Sequence, residues 1–188
     1  ADVRRSPVYL VGGEDEYMVT AKTREIVDRL VPPEQQTFGL EIVDGGSDTA
    51  DDAMRSLRRC IEALQTLGFL GGGKVVWLKD ASFLAAGAKG RSKELQALVD
   101  ELVSLVDHGL PSGQKLVVTM AKLDARSALY KACARSGEVH EFAISERPRE
   151  ACQQATEVAV HEFKLAEVEI DRETAQILVE RVGYDSRN

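Results

Sequence analysis

Apolar residues along this chain alternate between short, nearly continuous runs and stretches with helical spacing. The runs predict buried strands and cover residues 7–11, 37–43, 74–78, 115–120 and 139–143. The stretches between them predict amphipathic helices and cover residues 14–31, 92–107 and 126–135, together with a helix capped by Ser47 or Asp48. Alternating strands and helices form parallel sheets. The pattern therefore predicts an α/β fold, with a parallel sheet and helices on both of its faces.

The pattern changes after Ala143, where helices are predicted without intervening buried strands. Pro148 lies in the first turn of one predicted helix, and Asp171 is placed to cap the last one. We therefore expect two units, an α/β domain over residues 1–143 and part of a small helical domain over residues 144–188.

One predicted connector between a helix and a strand is unusually apolar. It contains Leu67, Phe69 and Leu70, whereas connectors run over the surface and are usually polar. An apolar group on an exposed loop is suited to fill a pocket on another protein. The alternative is that Phe69 and Leu70 fold back and cover the core. Glycines lie on both sides of Phe69 and Leu70, and they favour a flexible loop. These glycines are Gly68, Gly71, Gly72 and Gly73.

Composition and charge narrow the possible functions. A chain of 188 residues can bury one good core, or one core with a small appendage. Its net charge of −7 makes direct DNA binding a minority hypothesis, because phosphate-binding proteins usually carry a basic face. No apolar run approaches the roughly 18 residues that indicate a membrane span, and the first residues contain no apolar signal region.

The cysteines favour a reducing compartment. Cys60, Cys133 and Cys152 are odd in number, far apart and never in a Cys-x-x-Cys pair, which argues against a disulfide framework and against a zinc ribbon. We expect each to be a small, buried, apolar residue of a cytoplasmic protein.

The residues that could carry chemistry predict no catalytic, cofactor or metal site. The turn from Gly12 to Glu16 follows the first strand, where an α/β nucleotide-binding protein holds phosphate. It has no Gly-x-x-x-x-Gly-Lys-Ser/Thr motif, and its three acids would repel phosphate. The run from Gly71 to Lys74 precedes a strand, whereas a P-loop follows one. We therefore expect a protein that is not an enzyme by itself and lacks a functional P-loop.

A receiver-like or magnesium-binding α/β signalling domain is the alternative. Glu14, Asp15 and Asp44 follow predicted strands, and acids at the carboxyl ends of parallel strands can hold magnesium. Asp80 is the candidate phosphoacceptor, although nothing else marks it. In this alternative the apolar connector belongs to the core.

Three segments, in their order and spacing, resemble the delta subunit of the bacterial DNA polymerase III clamp loader. A YLLxGxDxY strand and turn opens that family's first domain, a PLF or PFL loop before a basic residue and a strand binds the clamp, and a K-x-D-x-R…K stretch follows the next strand. The matching segments here are Tyr9 to Tyr17, then Gly68-Phe69-Leu70 ahead of Lys74, then Lys122, Asp124 and Arg126 with Lys131. Gly68 stands where many members have proline, and Leu70 where they have phenylalanine, so a looser plug is expected.

The resemblance implies a fold, a function and a set of partners. Delta subunits look like AAA+ proteins without a working P-loop and continue into a helical collar domain, so this chain resembles an N-terminal fragment. The implied function is to insert the apolar loop, with Leu67, Phe69 and Leu70, into the sliding clamp and open the ring for loading on primed DNA. The implied partners are the clamp, the ATP-binding and delta-prime type subunits, and DNA only within the assembled complex, with no membrane. The chain would then be a non-catalytic subunit of the DNA polymerase III holoenzyme.

Overall fold

The computed structural model describes residues 7–66, 73–85, 92–143 and 148–182. Strands and helices alternate through most of this part, and two helices follow the last strand. The strands are β1 (Val8–Gly13), β2 (Leu40–Asp44), β3 (Val75–Lys79), β4 (Lys115–Met120) and β5 (Glu138–Phe142). The helices are α1 (Glu16–Leu30), a four-residue α2 (Gln36–Gly39), α3 (Ala50–Gln65), α4 (Lys93–His108), α5 (Ala128–Ser136), α6 (Pro148–Leu165) and α7 (Arg172–Val182).

The five strands form one parallel sheet in the order β2-β3-β4-β1-β5. Leu10 at the centre of β1 lies opposite Val118 of β4 and Val139 of β5. The α/β class predicted from the hydrophobic pattern is therefore confirmed. The receiver-like alternative is inconsistent with this order, because receiver and flavodoxin-like sheets are ordered 2-1-3-4-5.

Side chains that alternate along the strands build a core on each face of the sheet. Val8 and Leu10 belong to the larger core, which α3, α4 and α5 cover. Tyr9 and Val11, the residues between and beyond them, belong to the smaller core under α1. Helices therefore lie on both faces, as predicted.

The start of β2 and the cap of α3 differ from the prediction. The strand expected from residue 37 begins at Leu40, because residues 36–39 form α2. Gln36 holds this short helix against the end of α1, where its amide donates to Asp28 at 2.8 Å and to the carbonyl of Val31 at 3.2 Å. Helix α3 is capped by Thr49, whose hydroxyl accepts from the amide of Asp52, and not by Ser47 or Asp48.

The inward face of α4 also differs from its leucine spacing. The leucines predict an inward row of Leu95, Leu98, Leu102 and Leu105, and the structure buries Leu95, Val99, Leu102 and Val106. Leu98 and Leu105 are half-buried at the rim of the larger core. The helix is therefore turned so that two valines reach the sheet.

Helices α6 and α7 pack against each other after the last strand. Asp171 caps α7 as predicted, since its carboxylate accepts from the amide of Thr174 at 2.9 Å. The predicted division after residue 143 adjoins residues 144–147, which lie outside the described ranges, so the two-domain organisation stays a prediction.

Each cysteine is free and buried, as predicted. Burial raises the pKa of the Cys60 and Cys133 thiols to about 12, which keeps them protonated at neutral pH. Within the described ranges, no helix combines the length and the apolar character that crossing a membrane requires.

The rotation of α4 can be tested with two identical substitutions in neighbouring turns of the helix. Leu102→Ala should lower the free energy of unfolding by about 2–5 kcal/mol, because Leu102 is fully buried and leaves a cavity. Leu105→Ala should cost clearly less, because Leu105 is only half-buried and its site can fill with solvent. Urea unfolding of the two variants measures both values, and equal losses would contradict the observed orientation.

Candidate partner-binding site

The predicted clamp-binding segment lies mostly outside the described residues. This applies to Leu67, Gly68, Phe69, Leu70, Gly71 and Gly72, whose roles stay predictions. The structure does describe the residues that flank this segment, Thr66 on one side and Gly73 on the other. Both flanks contact the turn before β4.

Thr66, the last residue before the segment, is held by hydrogen bonds at the end of α3. The amide of Thr66 donates to the carbonyl of Glu62 at 3.0 Å, and its hydroxyl donates to the same oxygen at 2.7 Å. The carbonyl of Thr66 accepts a hydrogen bond of 3.1 Å from the side-chain amide of Gln114. The chain therefore leaves the helix at a defined point.

The exit of the segment is fixed by backbone packing. Gly73 lies so close to Gly113 that a Cβ atom on Gly73 would overlap the Gly113 carbonyl. Only glycine fits this approach without displacement of the backbone. The described contact thus gives Gly73 a packing role, and its predicted contribution to loop flexibility remains a prediction.

The basic residue after the segment, Lys74, is built into the end of the sheet. Its ammonium group lies 2.8 Å from the Glu41 carboxylate on β2, and only 10% of its side chain is exposed. Arg59 of α3 approaches the same carboxylate at 3.8 Å. The carbonyl of Lys74 accepts from the amide of Lys115 at 2.9 Å. Lys74 therefore joins β2, β3 and β4 beside the segment and is not presented to solvent.

The exposed face of α3 next to this site carries charges of both signs. A shallow concavity there is lined by Asp51, Met54, Arg55, Arg58, Arg59 and Glu62. Arg55 pairs with Asp52 at 3.0 Å. The arginines of α3 are accompanied by acids, so this face does not form the uniformly basic surface that phosphate backbones require.

The opposite edge of the sheet holds the turn between β1 and α1. The backbone amide of Asp15 donates to the carbonyl of Phe142 at 3.2 Å, and the Asp15 carboxylate accepts from the amide of Met18 at 3.1 Å. Gly13 has a φ of +141°, and a Cβ there would overlap the Phe142 carbonyl. The amides of Asp15 and Met18, which could otherwise face a phosphate, therefore have partners within the chain. Glu14, which is exposed, adds negative charge to the turn.

The segment that resembles K-x-D-x-R…K forms a turn with its own internal bonds. Asp124 accepts from the backbone amide of Arg126 at 2.8 Å and from its guanidinium at 3.0 and 2.9 Å. Hydrogen bonds from Arg126 lower the pKa of Asp124 to about 2. Ser127 caps α5 by accepting from the amide of Tyr130 at 3.1 Å. Asp124, Arg126 and Ser127 therefore shape the start of α5. No cluster of three or more potential metal ligands occurs in the described residues.

Comparison with known proteins identifies the family. The family model for the DNA polymerase III delta subunit matches residues 9–143. This range includes helices α1 to α5 and all of the sheet except Val8, the first residue of β1. The chain belongs to this delta subunit family, and its described residues form the parallel α/β sheet that the sequence predicted.

One relative by sequence and two solved structures are similar to this chain. The chain is 28% identical over 174 residues to the DNA polymerase III subunit delta of Bacillus subtilis, with 92% of this chain and 46% of that protein covered. Its fold matches the structure of a B. subtilis DNA clamp loader delta protein with a TM-score of 0.61 and 24% identity, with 93% of this chain and 48% of that chain covered. A chain of the E. coli MS115-1 HORMA:CdnC:Trip13 complex matches with a TM-score of 0.52 and 16% identity, over 95% of this chain and 59% of that one. The chain thus spans about half the length of the delta proteins it matches.

No sequence motif marks the turn that contacts both flanks. Pro111, Ser112 and Gly113 carry an ordinary turn signal, but the signal does not show what the turn touches. Gln114 has no motif signal at all. Only the fold brings these residues beside Thr66 and Gly73.

The β1–α1 turn leads to a prediction about nucleotides. Isothermal titration of the chain with magnesium-ATP should show no saturable binding, because the turn lacks a P-loop lysine, carries acids, and has its Asp15 amide bonded to the Phe142 carbonyl. A P-loop ATPase measured under the same conditions is the positive control. A micromolar binding curve would contradict the assignment of this turn as a degenerate nucleotide site.

Proposed function

We propose that this chain binds the sliding clamp through the segment of residues 67–70 and traps the ring in an opened state for loading on primed DNA. The observation that carries the proposal is the position of the segment in a delta-family chain. It joins α3 to β3, and the residues on both sides of it are fixed to one turn. Leu67, Phe69 and Leu70 are the anchors that would enter a pocket of the clamp.

The energetics support an anchor rather than a motor. Burial of an apolar side chain such as Phe69 or Leu70 contributes roughly 1.5–3 kcal/mol. Hot-spot side chains of this kind dominate binding when a pocket on the partner encloses them. Such energies are sufficient to stabilise a ring that has opened, because a ligand shifts a population only by its differential affinity for the two states.

The remaining clamp-loader functions belong to other subunits in this proposal. ATP is held by the ATP-binding subunits. In this chain the turn from Gly13 to Asp15 carries acids and forms hydrogen bonds within the chain, which disfavours phosphate binding there. This chain acts as a non-catalytic subunit in the cytoplasm. It assembles with the ATP-binding and delta-prime type subunits, and it meets DNA only within the complex.

The proposal is tested by removing the two central anchors together. Phe69→Ala with Leu70→Ala should abolish binding to the cognate sliding clamp, since losses of roughly 2–4 kcal/mol per residue are typical of buried interface anchors. The melting temperature should stay close to that of the wild-type chain, because the proposal places both residues on the surface. Surface plasmon resonance and a thermal melt measure the two effects.

A matched control removes two large apolar side chains from a distant exposed site. Ile177 and Leu178 of α7 are 48% and 38% exposed, so Ile177→Ala with Leu178→Ala should leave clamp affinity unchanged. If the Phe69 and Leu70 variant instead unfolds at a much lower temperature and the wild-type chain binds no clamp, these residues belong to the core and the proposal fails.

A further inference from the structure

One tight turn, residues 111–114, contacts both flanks of the proposed clamp-binding segment. The amide of Gln114 donates to the carbonyl of Pro111 at 2.9 Å, which closes the turn. Gly113 has a φ of +81°, the value expected at the third position of a type II turn. The turn therefore holds Gly113 against Gly73 and Gln114 against Thr66.

The side chain of Gln114 has an unusual environment for an amide. It is 3% exposed, although it lies in a turn, directly before β4. Its nitrogen donates to the Thr66 carbonyl, and this orientation is set by chemistry because a carbonyl accepts only. Its oxygen is buried and has no hydrogen-bond partner among the described residues. The bond to the Thr66 carbonyl is therefore the described contact that a glutamine, and not an apolar residue, can make at this position.

We propose that Gln114 is a positioning residue for the clamp-binding segment. Gln114 bonds the Thr66 carbonyl, and its neighbour Gly113 packs on Gly73. Gln114 thereby helps to fix the two described ends between which residues 67–72 run. A loop whose two ends are fixed loses less conformational freedom when its side chains bind a partner. The inference rests on the proposed function, since it assigns Gln114 a role in presenting the same anchors.

The contribution of Gln114 is separable from the stability of α3. The last helical bonds of α3 are made by Thr66 to Glu62 and do not involve Gln114. Loss of the Gln114 amide therefore leaves the helix intact and frees only the carbonyl from which the segment starts. A methionine preserves the length of the side chain and removes the donor.

The test compares Gln114→Met with Gln96→Met, which removes an exposed glutamine amide from α4. Gln114→Met should weaken binding to the cognate clamp about fivefold to tenfold, the loss expected for one hydrogen bond, and Gln96→Met should not change it. In a background of Leu70→Ala the effect of Gln114→Met should shrink, because residues that act through one element are not additive.

A second readout does not depend on the clamp. Limited chymotrypsin digestion should cleave Gln114→Met faster than wild type within residues 67–70, with no increase elsewhere and with a similar melting temperature. Cleavage that increases along the whole chain would indicate general destabilisation and overturn the inference. If Gln114→Met fails to fold, Gln114→Asn replaces it, because it keeps the amide on a shorter side chain that should not reach Thr66. The expected result is again weaker clamp binding and faster cleavage within residues 67–70.

The two proposals fail in different ways. A wild-type chain that binds no clamp refutes the proposed function, while the digestion pattern still reports on the position of the segment. A wild-type chain that binds the clamp, together with a Gln114→Met variant of equal affinity and equal digestion, refutes the role of Gln114 alone.

Discussion

The parallel pairing of β3, β4 and β1 is the constraint on which the rest of the molecule depends. β4 lies between the other two strands, and its residues from Leu116 to Met120 are all buried. A parallel arrangement places the amino ends of all strands at one edge of the sheet and their carboxyl ends at the other. It also separates alternate side chains into two cores. The location of each candidate site follows from these two consequences.

The two edges of the sheet have different structural roles. At the amino edge, the backbones of Gly73 and Gly113 pack together, and Gln114 bonds Thr66, so the residues around the proposed clamp-binding segment are rigidly connected. At the carboxyl edge, Asp15 bonds the backbone of Phe142 and caps α1. At the edge where α/β proteins commonly bind ligands, the β1–α1 turn is thus bonded within the chain. The proposed binding activity lies at the opposite edge.

The sequence predicted the elements well wherever an apolar period was long and unambiguous. The strand over residues 115–120 was predicted with its observed ends, and Asp171 was correctly predicted as a cap. It failed where a tertiary contact competed with local preference. Residues 36–39 are helical and Gln36 bonds the end of α1, although the run over residues 37–43 suggested a strand. In α4, packing against the sheet selected Val99 and Val106 over Leu98 and Leu105.

The sequence by itself determined the fold class, the burial of the cysteines, the absence of a P-loop motif and the family resemblance, because these depend on periodicity and on local motifs. Tertiary structure alone decided the strand order, which is inconsistent with a receiver, and it alone brought Gln114 next to Thr66, 48 positions away in the chain. Gln114 reaches Thr66 because β4 lies beside β3 in the sheet, and no local pattern encodes which strands become neighbours. For this reason the apolar segment could be proposed from sequence, whereas the turn that holds its flanks could not.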